Sequence, residues 1–187
     1  MSVDCATIHA RLREAMPGAR ISVRKNPGPS GQHSLLVDGA DLIDVCRFLR
    51  DTPDLAFDFL SNVTGVDWPD CAKADAVAVP AEGEVSATAS GFLEVLYHLY
   101  STRHRVGPLV LRARTQDRGA NVQIPSVVAV FRSAEFQERE IFDLYGVEFT
   151  GHPDLRRILM WDEFKDHPMR KDYVAPDDYE YEPTPHD

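Results

Sequence analysis

Residues 134–173, AEFQEREIFDLYGVEFTGHPDLRRILMWDEFKDHPMRKDY, concentrate the side chains able to do chemistry. His152, Asp154, Asp162, Asp166 and His167 offer metal-ligand and proton-transfer groups close together in the chain. A zinc hydrolase would carry two histidines four apart on one helical face, with a glutamate beside the first. That pattern is missing. His152-Pro153 and His167-Pro168 sit in turn contexts, which suit an imidazole that bonds main chain. A free-standing metal-dependent hydrolase using His152 and His167 remains the enzymatic alternative. Glu138 and Glu140 stand i,i+2 and diverge around a helix, so they do not form a close carboxylate pair. They are expected to form ion pairs, within the chain or across an interface. Arg156 and Arg157 lie between the turn Gly151–Asp154 and the apolar Ile158-Leu159-Met160. They read as guanidinium forks aimed at carboxylates of a partner or of the acidic helix, with the partner favoured. No G-x-S-x-G, P-loop or G-x-G-x-x-G occurs, so no catalytic, cofactor-binding or metal-binding residue is assigned.

Definite elements must position these groups. Ser133 is expected to cap a helix starting at Ala134, with Glu135 in its favourable first turn. Glu135–Arg139 and Arg139–Asp143 are spaced i,i+4 and should meet on one face. Ile141, Leu144 and Tyr145 form the apolar stripe, and Gly146 ends the helix at positive φ. Upstream, residues 3–16 predict a helix buried through Ile8 and Leu12 and stopped by Pro17-Gly18. Arg20–Arg24 and Ser34–Val37 predict a loose hairpin around the turn cluster KNPGPSGQ. Asp41 should cap a helix over Leu42–Arg50 that buries Ile43, Val45, Cys46 and Leu49. Thr64–Trp68 looks like a strand running out. Pro69–Gly91, poor in bulky residues, reads as an insertion or mobile loop.

Phe92–Ser101 alternates strictly, so Leu93, Val95, Tyr97 and Leu99 should face the core. His98 then belongs to the sheet surface rather than to a metal. Leu109–Thr115 is the next strand, after a turn over Thr102–Gly107. Pro125-Ser126 should start a short helix over Val127–Phe131. Beyond Leu159 regular patterning stops, while Trp161, Phe164, Met169 and Tyr173 remain as large apolar anchors. Anchors without a core of their own suggest an arm that packs on another protein. The expected architecture is α/β (α+β): a small mixed or antiparallel sheet flanked by helices over residues 1–150, then an extended arm over 151–187.

Composition narrows the function. A net charge of −10 argues against nucleic acid and against direct adsorption to anionic lipid. Apolar runs stay far below the ~18 residues of a membrane span. No secretory signal pattern is present, so a cytoplasmic protein joined to any membrane only through partners is expected. Cys5, Cys46 and Cys71 lie far apart without a CxxC, which suits isolated thiols better than zinc or an iron–sulfur cluster.

Four segments then match a known pattern in order and spacing. They are Glu138-Arg139-Glu140, Asp143-Leu144-Tyr145-Gly146, Gly151-His152-Pro153-Asp154-Leu155-Arg156-Arg157-Ile158-Leu159, and His167-Pro168-Met169-Arg170-Lys171-Asp172-Tyr173. Together they resemble the signature of the 30 kDa subunit family (the C subunit) of the proton-pumping NADH–quinone oxidoreductase, respiratory complex I. The resemblance is strongest over residues 124–173 and extends loosely back to Phe57. The first fifty residues and the last fourteen add little. Pro69–Gly91 departs from the family, whose flanking strands are often joined more directly.

The resemblance implies a non-catalytic peripheral-arm subunit. The complex passes electrons from NADH through FMN and iron–sulfur clusters to quinone and translocates protons, with those cofactors held in partner subunits. It implies contacts with the D, B and I subunits, at the cytoplasmic face of a bacterial inner membrane. Residues expected at the interface are Glu138, Arg139, Glu140, Asp143, His152, Arg156, Arg157, Trp161, His167, Arg170, Lys171 and Tyr173. A homologous subunit of a membrane-bound energy-converting hydrogenase or formate-linked complex is the alternative within the same class.

Overall fold

The computed structural model describes residues 4–69 and 91–175. The expected insertion lies, apart from its end residues, outside the described residues, as does the acidic stretch after Ala175. Asp4 caps helix α1 (Cys5–Ala15) through its carboxylate, which accepts from the Ala6 and Thr7 amides. Ile8 and Leu12 are buried as their spacing requires. Strands β1 (Ile21–Arg24) and β2 (Ser34–Val37) pair antiparallel. Helix α2 (Gly39–Asp51) starts three residues earlier than expected, because Asp38 and not Asp41 is its cap. Asp41 instead accepts from the Arg20 amide, tying the helix to the strand entry. The buried side of α2 is Leu42, Val45, Cys46 and Leu49; Ile43 is half-buried.

The long strands β3 (Phe59–Trp68), β4 (Phe92–Ser101) and β5 (Val106–Arg114) follow. The sheet order is β1-β2-β5-β4-β3, with β2 and β5 parallel and the other pairs antiparallel, so the sheet is mixed. Strand β5 begins at Val106, inside the stretch expected to turn. Leu93, Val95, Tyr97 and Leu99 are fully buried in one core with Leu12, Leu35, Leu42 and Leu49, so the alternation of β4 faces the core as expected. The other face of β4 carries Glu94, fully buried between Arg112 and Arg114 at 2.8 Å each and the Trp68 indole at 3.1 Å.

A second, small parallel ladder joins β6 (Gln123–Pro125) to β7 (Glu148–Thr150). Helix α3 (Ala134–Tyr145) connects them. Val127–Phe131 is not a helix. The Val130 and Phe131 amides both bond Val127 O, closing overlapping turns, while the Val127 amide is taken by Glu138. Ser133 does not cap α3 either: its backbone is already helical and its hydroxyl donates to Leu60 O. Gly146 ends α3 at φ 77°, as expected.

Helix α3 crosses the sheet at Gly65. A Cβ there would lie 2.7 Å from the Tyr145 ring and 3.2 Å from Ile141 Cγ2. Gly65→Ala should therefore lower stability by about 1–3 kcal/mol, the usual cost of overpacking. Gly18→Ala, where nothing stands within 4 Å, should leave it near wild type. Urea unfolding of both variants checks the pair.

Candidate functional site: a charged clasp at the end of helix α3

An ordinary amphipathic helix buries its apolar stripe. Helix α3 buries Ala134 and Ile141 but also Glu138, Arg139 and Asp143. These three buried charged groups are consumed inside the chain, each differently.

Asp143 is fully buried. One carboxylate oxygen accepts from Arg157 Nη1 at 2.6 Å. The other accepts the amides of Ile158, Leu159 and Met160 at 3.0, 2.7 and 2.9 Å. Burial pushes this carboxyl up, but the Met160, Leu159, Arg157 and Ile158 donors together outweigh it and hold it below the usual range. The i,i+4 partner expected for it, Arg139, turns elsewhere and donates to Arg156 O and Arg157 O at 3.1 and 3.0 Å. Glu135 reaches Arg132, at 3.8 Å. Segment 156–160 is thus gripped from both sides, by a carboxylate on its amides and a guanidinium on its carbonyls.

An acid in the last helical turn opposes the macrodipole. Cations from later in the chain offset it. Arg157 also donates to Asp143 O at 3.1 Å and to Asp166 O at 3.2 Å. Arg170 Nε donates to Tyr145 O at 2.6 Å, and its Nη1 to Arg118 O at 2.9 Å. His167 Nδ1 lies 3.0 Å from Asp143 O and must be the donor, since a carbonyl only accepts. Burial holds His167 below its ordinary value, hence neutral. Gly146 is needed here twice: its φ is positive, and a Cβ would collide with the His167 ring and Arg170.

His152 repeats the arrangement at the other end of α3. Its Nε2 lies 2.9 Å from Glu135 O, and its Nδ1 accepts the Asp154 amide. The two imidazoles bond carbonyls eight residues apart, about 12 Å along the axis, too far to share an ion. Among the described residues no three His, Cys, Asp or Glu side chains converge.

A further ion cluster had no local signal. Asp67, at the end of β3, takes Arg118 in a two-pronged pair at 2.6 and 2.7 Å and the Lys171 amide at 2.8 Å. Arg118 also reaches Asp172 at 2.9 Å. The Lys171 ammonium stands over the Trp68 ring. Segment 151–175 has no helix and no strand, yet these bonds lay it along the body of the protein.

The expected interface residues therefore divide. Glu138, Arg139 and Asp143 are buried within the chain. Arg157 is internal too, with 12% of its side chain accessible, and its carboxylate partner is Asp143 of the same chain. His152, His167, Arg170 and Tyr173 are half-buried, the first three bonded to main chain. Glu140, Arg156, Trp161 and Lys171 are exposed, with Arg156 paired to Asp154 at the surface.

Glu138 is also fully buried, with no cation beside it among the described residues. It accepts from Ser126 Oγ at 2.6 Å and from the Val127 amide at 2.8 Å. Burial outweighs these bonds and pushes its carboxyl up to about 7. Among the described residues Glu138 forms no ion pair, because the neighbouring turn offers only neutral donors. The Cys46 thiol, on the buried face of α2, is pushed up to about 12 by burial.

The family model of the respiratory-chain NADH dehydrogenase 30 kDa subunit matches residues 35–179. The chain belongs to that family. The match reaches further back than Phe57, taking in β2 and α2. The C subunit of the NADH–quinone oxidoreductase of Roseiflexus sp. (strain RS-1) is 36% identical over 92% of this chain and 85% of its own length. The C 2 subunit of the Rhizobium meliloti (strain 1021) enzyme is 37% identical over 76% of this chain and 66% of its own. A chain of the archaeal membrane-bound sulfane sulfur reductase shares the fold, with a TM-score of 0.62 at 21% identity, covering 90% of this chain and 85% of that one. The residues that make the clasp, Arg139, Asp143, Arg157, His167 and Arg170, all lie in the segments that resemble the 30 kDa family signature.

Removing Arg157 would strand Asp143 without its cation. Arg157→Ala should destabilise the isolated chain by about 3 kcal/mol or more, as for breaking a buried pair from one side. Arg156→Ala should leave the unfolding midpoint unchanged, since its pair is solvent-screened. Denaturant melts of the two variants distinguish an internal Arg157 from one aimed at a partner.

Glu138 gives a pH signature. Its folded value, about 7, lies above the unfolded 4.5. The folded state therefore holds the extra proton between these values, and stability falls as pH rises through the window. His98 and His167, both lowered, contribute the opposite slope, so the comparison must be a difference. Relative to wild type, Glu138→Gln should gain a few kcal/mol as pH rises from about 4.5 to about 8. Parallel urea titrations at several pH values measure this; two curves of equal slope would mean that Glu138 titrates alike in the folded and unfolded chain.

Proposed function

We propose that the chain is a non-catalytic scaffold subunit of the peripheral arm of NADH–quinone oxidoreductase. It fixes the positions of neighbours that carry electrons from NADH through FMN and iron–sulfur clusters to quinone, coupled to proton translocation. Its neighbours are the D, B and I subunits, and it sits at the cytoplasmic face of a bacterial inner membrane, held there by them. No helix among the described residues is long and apolar enough to cross a membrane.

The observation that carries this reading is the saturation of the signature. Asp143 accepts four donors, Arg139 and Arg170 are committed to carbonyls, and both histidines bond the main chain. Catalytic groups need a free lone pair, an exchangeable proton or an open coordination position near a substrate. A saturated cluster holds geometry instead. Identity of 36% over most of the chain favours the NADH–quinone complex above the hydrogenase or formate-linked alternative.

Affinity purification of the tagged chain from membranes of its native host, with identification of the co-purifying subunits, tests the assignment. In the same strain, Arg157→Ala should reduce the amount of assembled complex on native gels. NADH–quinone activity per assembled complex should stay near wild type. Full assembly with activity abolished would place the chain in the chemistry and sink the scaffold reading.

A further inference from the structure

The turn between β4 and β5 takes no part in the clasp. Arg105 sits there at φ 54°, in the left-handed region, which a side chain keeps only where its surroundings hold it. Bonds fix those surroundings. The Thr102 amide and hydroxyl donate to the Asp58 carboxylate at 2.8 and 2.6 Å, and the His104 amide donates to Ser101 Oγ at 3.2 Å. His104 Nε2 lies 2.9 Å from Pro53 O. Against the start of β3 this turn forms an open groove of about 420 Å³. Phe59, Tyr100 and Val106 supply its apolar wall, with the Phe59 and Tyr100 rings 6.4 Å apart and tilted by 48°. Phe59 is 49% exposed, so an aromatic face is open to a ligand.

Among the described residues that line the groove, Arg105 alone is charged. The acids nearest to it in sequence are already taken, Asp58 by Thr102 and Asp54 by Arg11 at 2.7 Å. Arg103 and Arg105 form no ion pair among the described residues, although the chain carries −10. An apolar wall of this size with one cation aimed along it has the composition of a small-molecule site. We propose that this groove binds a flat aromatic carboxylate, its ring against Phe59 and Tyr100 and its carboxylate on the Arg105 guanidinium. A planar carboxylate meets the guanidinium fork with two parallel bonds, and a ring stacks on the exposed aromatic face. The site is independent of the scaffold reading: it lies at the opposite end of β3 from Asp67 and uses no residue of the clasp.

The test titrates 2-naphthoate into the isotope-labelled full-length chain and follows the backbone amides by NMR. Saturable shifts centred on Phe59, Tyr100, Arg105 and Val106 are expected, with a Kd of about 1 mM or tighter for a ligand of this size. 2-Naphthamide, of the same shape but neutral, should bind at least about tenfold more weakly. Arg105→Gln should cause the same loss. Arg105→Gly suits the left-handed backbone, so it should melt near wild type and still lose the probe, which separates binding from a structural role. Phe59→Ser, at an exposed position, should also weaken binding without lowering the melt. The absence of saturable shifts up to about 10 mM, well above the expected Kd, overturns the proposal. So does equal binding of acid and amide, or wild-type binding by both Arg105 variants. Octanoate binding as tightly as 2-naphthoate overturns the aromatic part of the assignment. A photo-crosslinking side chain in place of Phe59 that joins a neighbouring subunit in the assembled complex would make the groove a protein interface, and the proposal would fall while the scaffold reading stood.

Discussion

A carboxylate without water governs this structure. Asp143 is fully enclosed, and an enclosed carboxylate is tolerable only if paired and hydrogen-bonded throughout. Three consecutive amides and a guanidinium meet that demand. The consequence propagates outward. To aim three successive amides at one point, segment 158–160 must curl around the helix end. Its carbonyl side is then held by Arg139 and its continuation by His167 and Arg170. A segment with no regular secondary structure acquires one conformation from one buried charge.

Glu138 and Asp143 make an internal comparison. They lie on the same helix, both without solvent exposure, and their acidities move in opposite directions. Desolvation raises both. Asp143 has four donors, one of them cationic, and the sum favours the anion. Glu138 has a hydroxyl and one amide, which is too little. The side chain alone does not decide whether a buried acid is ionised; the number and charge of its donors do. Asp67 repeats the first case at the sheet edge, with Arg118 and the Lys171 amide outweighing its burial.

Two carboxylates, Asp67 and Asp143, organise the C-terminal segment of this 30 kDa family member. The sheet and its helices form one core, and the C-terminal segment is fastened to it at Asp67, at Asp143 and along α3. The groups that fix this segment face inward, and the apolar groups it displaces face outward.

Sequence alone determined much here. Strict alternation in Phe92–Ser101 marked the core face of β4, since a period of two has only one way to bury four apolar residues. Gly146 was legible as a helix end because few other residues accept positive φ. The ordered signature from Glu138 to Tyr173 identified the family. Local rules failed where a distant residue competed. The i,i+4 spacing of Arg139 and Asp143 is real, but loop amides and Arg157 offered a dry, multidentate site that a surface pair cannot match. Ser133 and Asp41 lost their cap roles to longer-range partners, Leu60 O and the Arg20 amide. Arg157 read as aimed at a partner or, second, at the acidic helix; it takes the second, and the linear sequence does not say that Asp143, fourteen residues earlier, lies within reach. The acid in the last turn of α3 was the one available clue, being unfavourable unless cations arrive from elsewhere. Which charges are buried, and with whom, depends on distances that only the folded chain sets, because desolvation is a property of the surroundings and not of the residue.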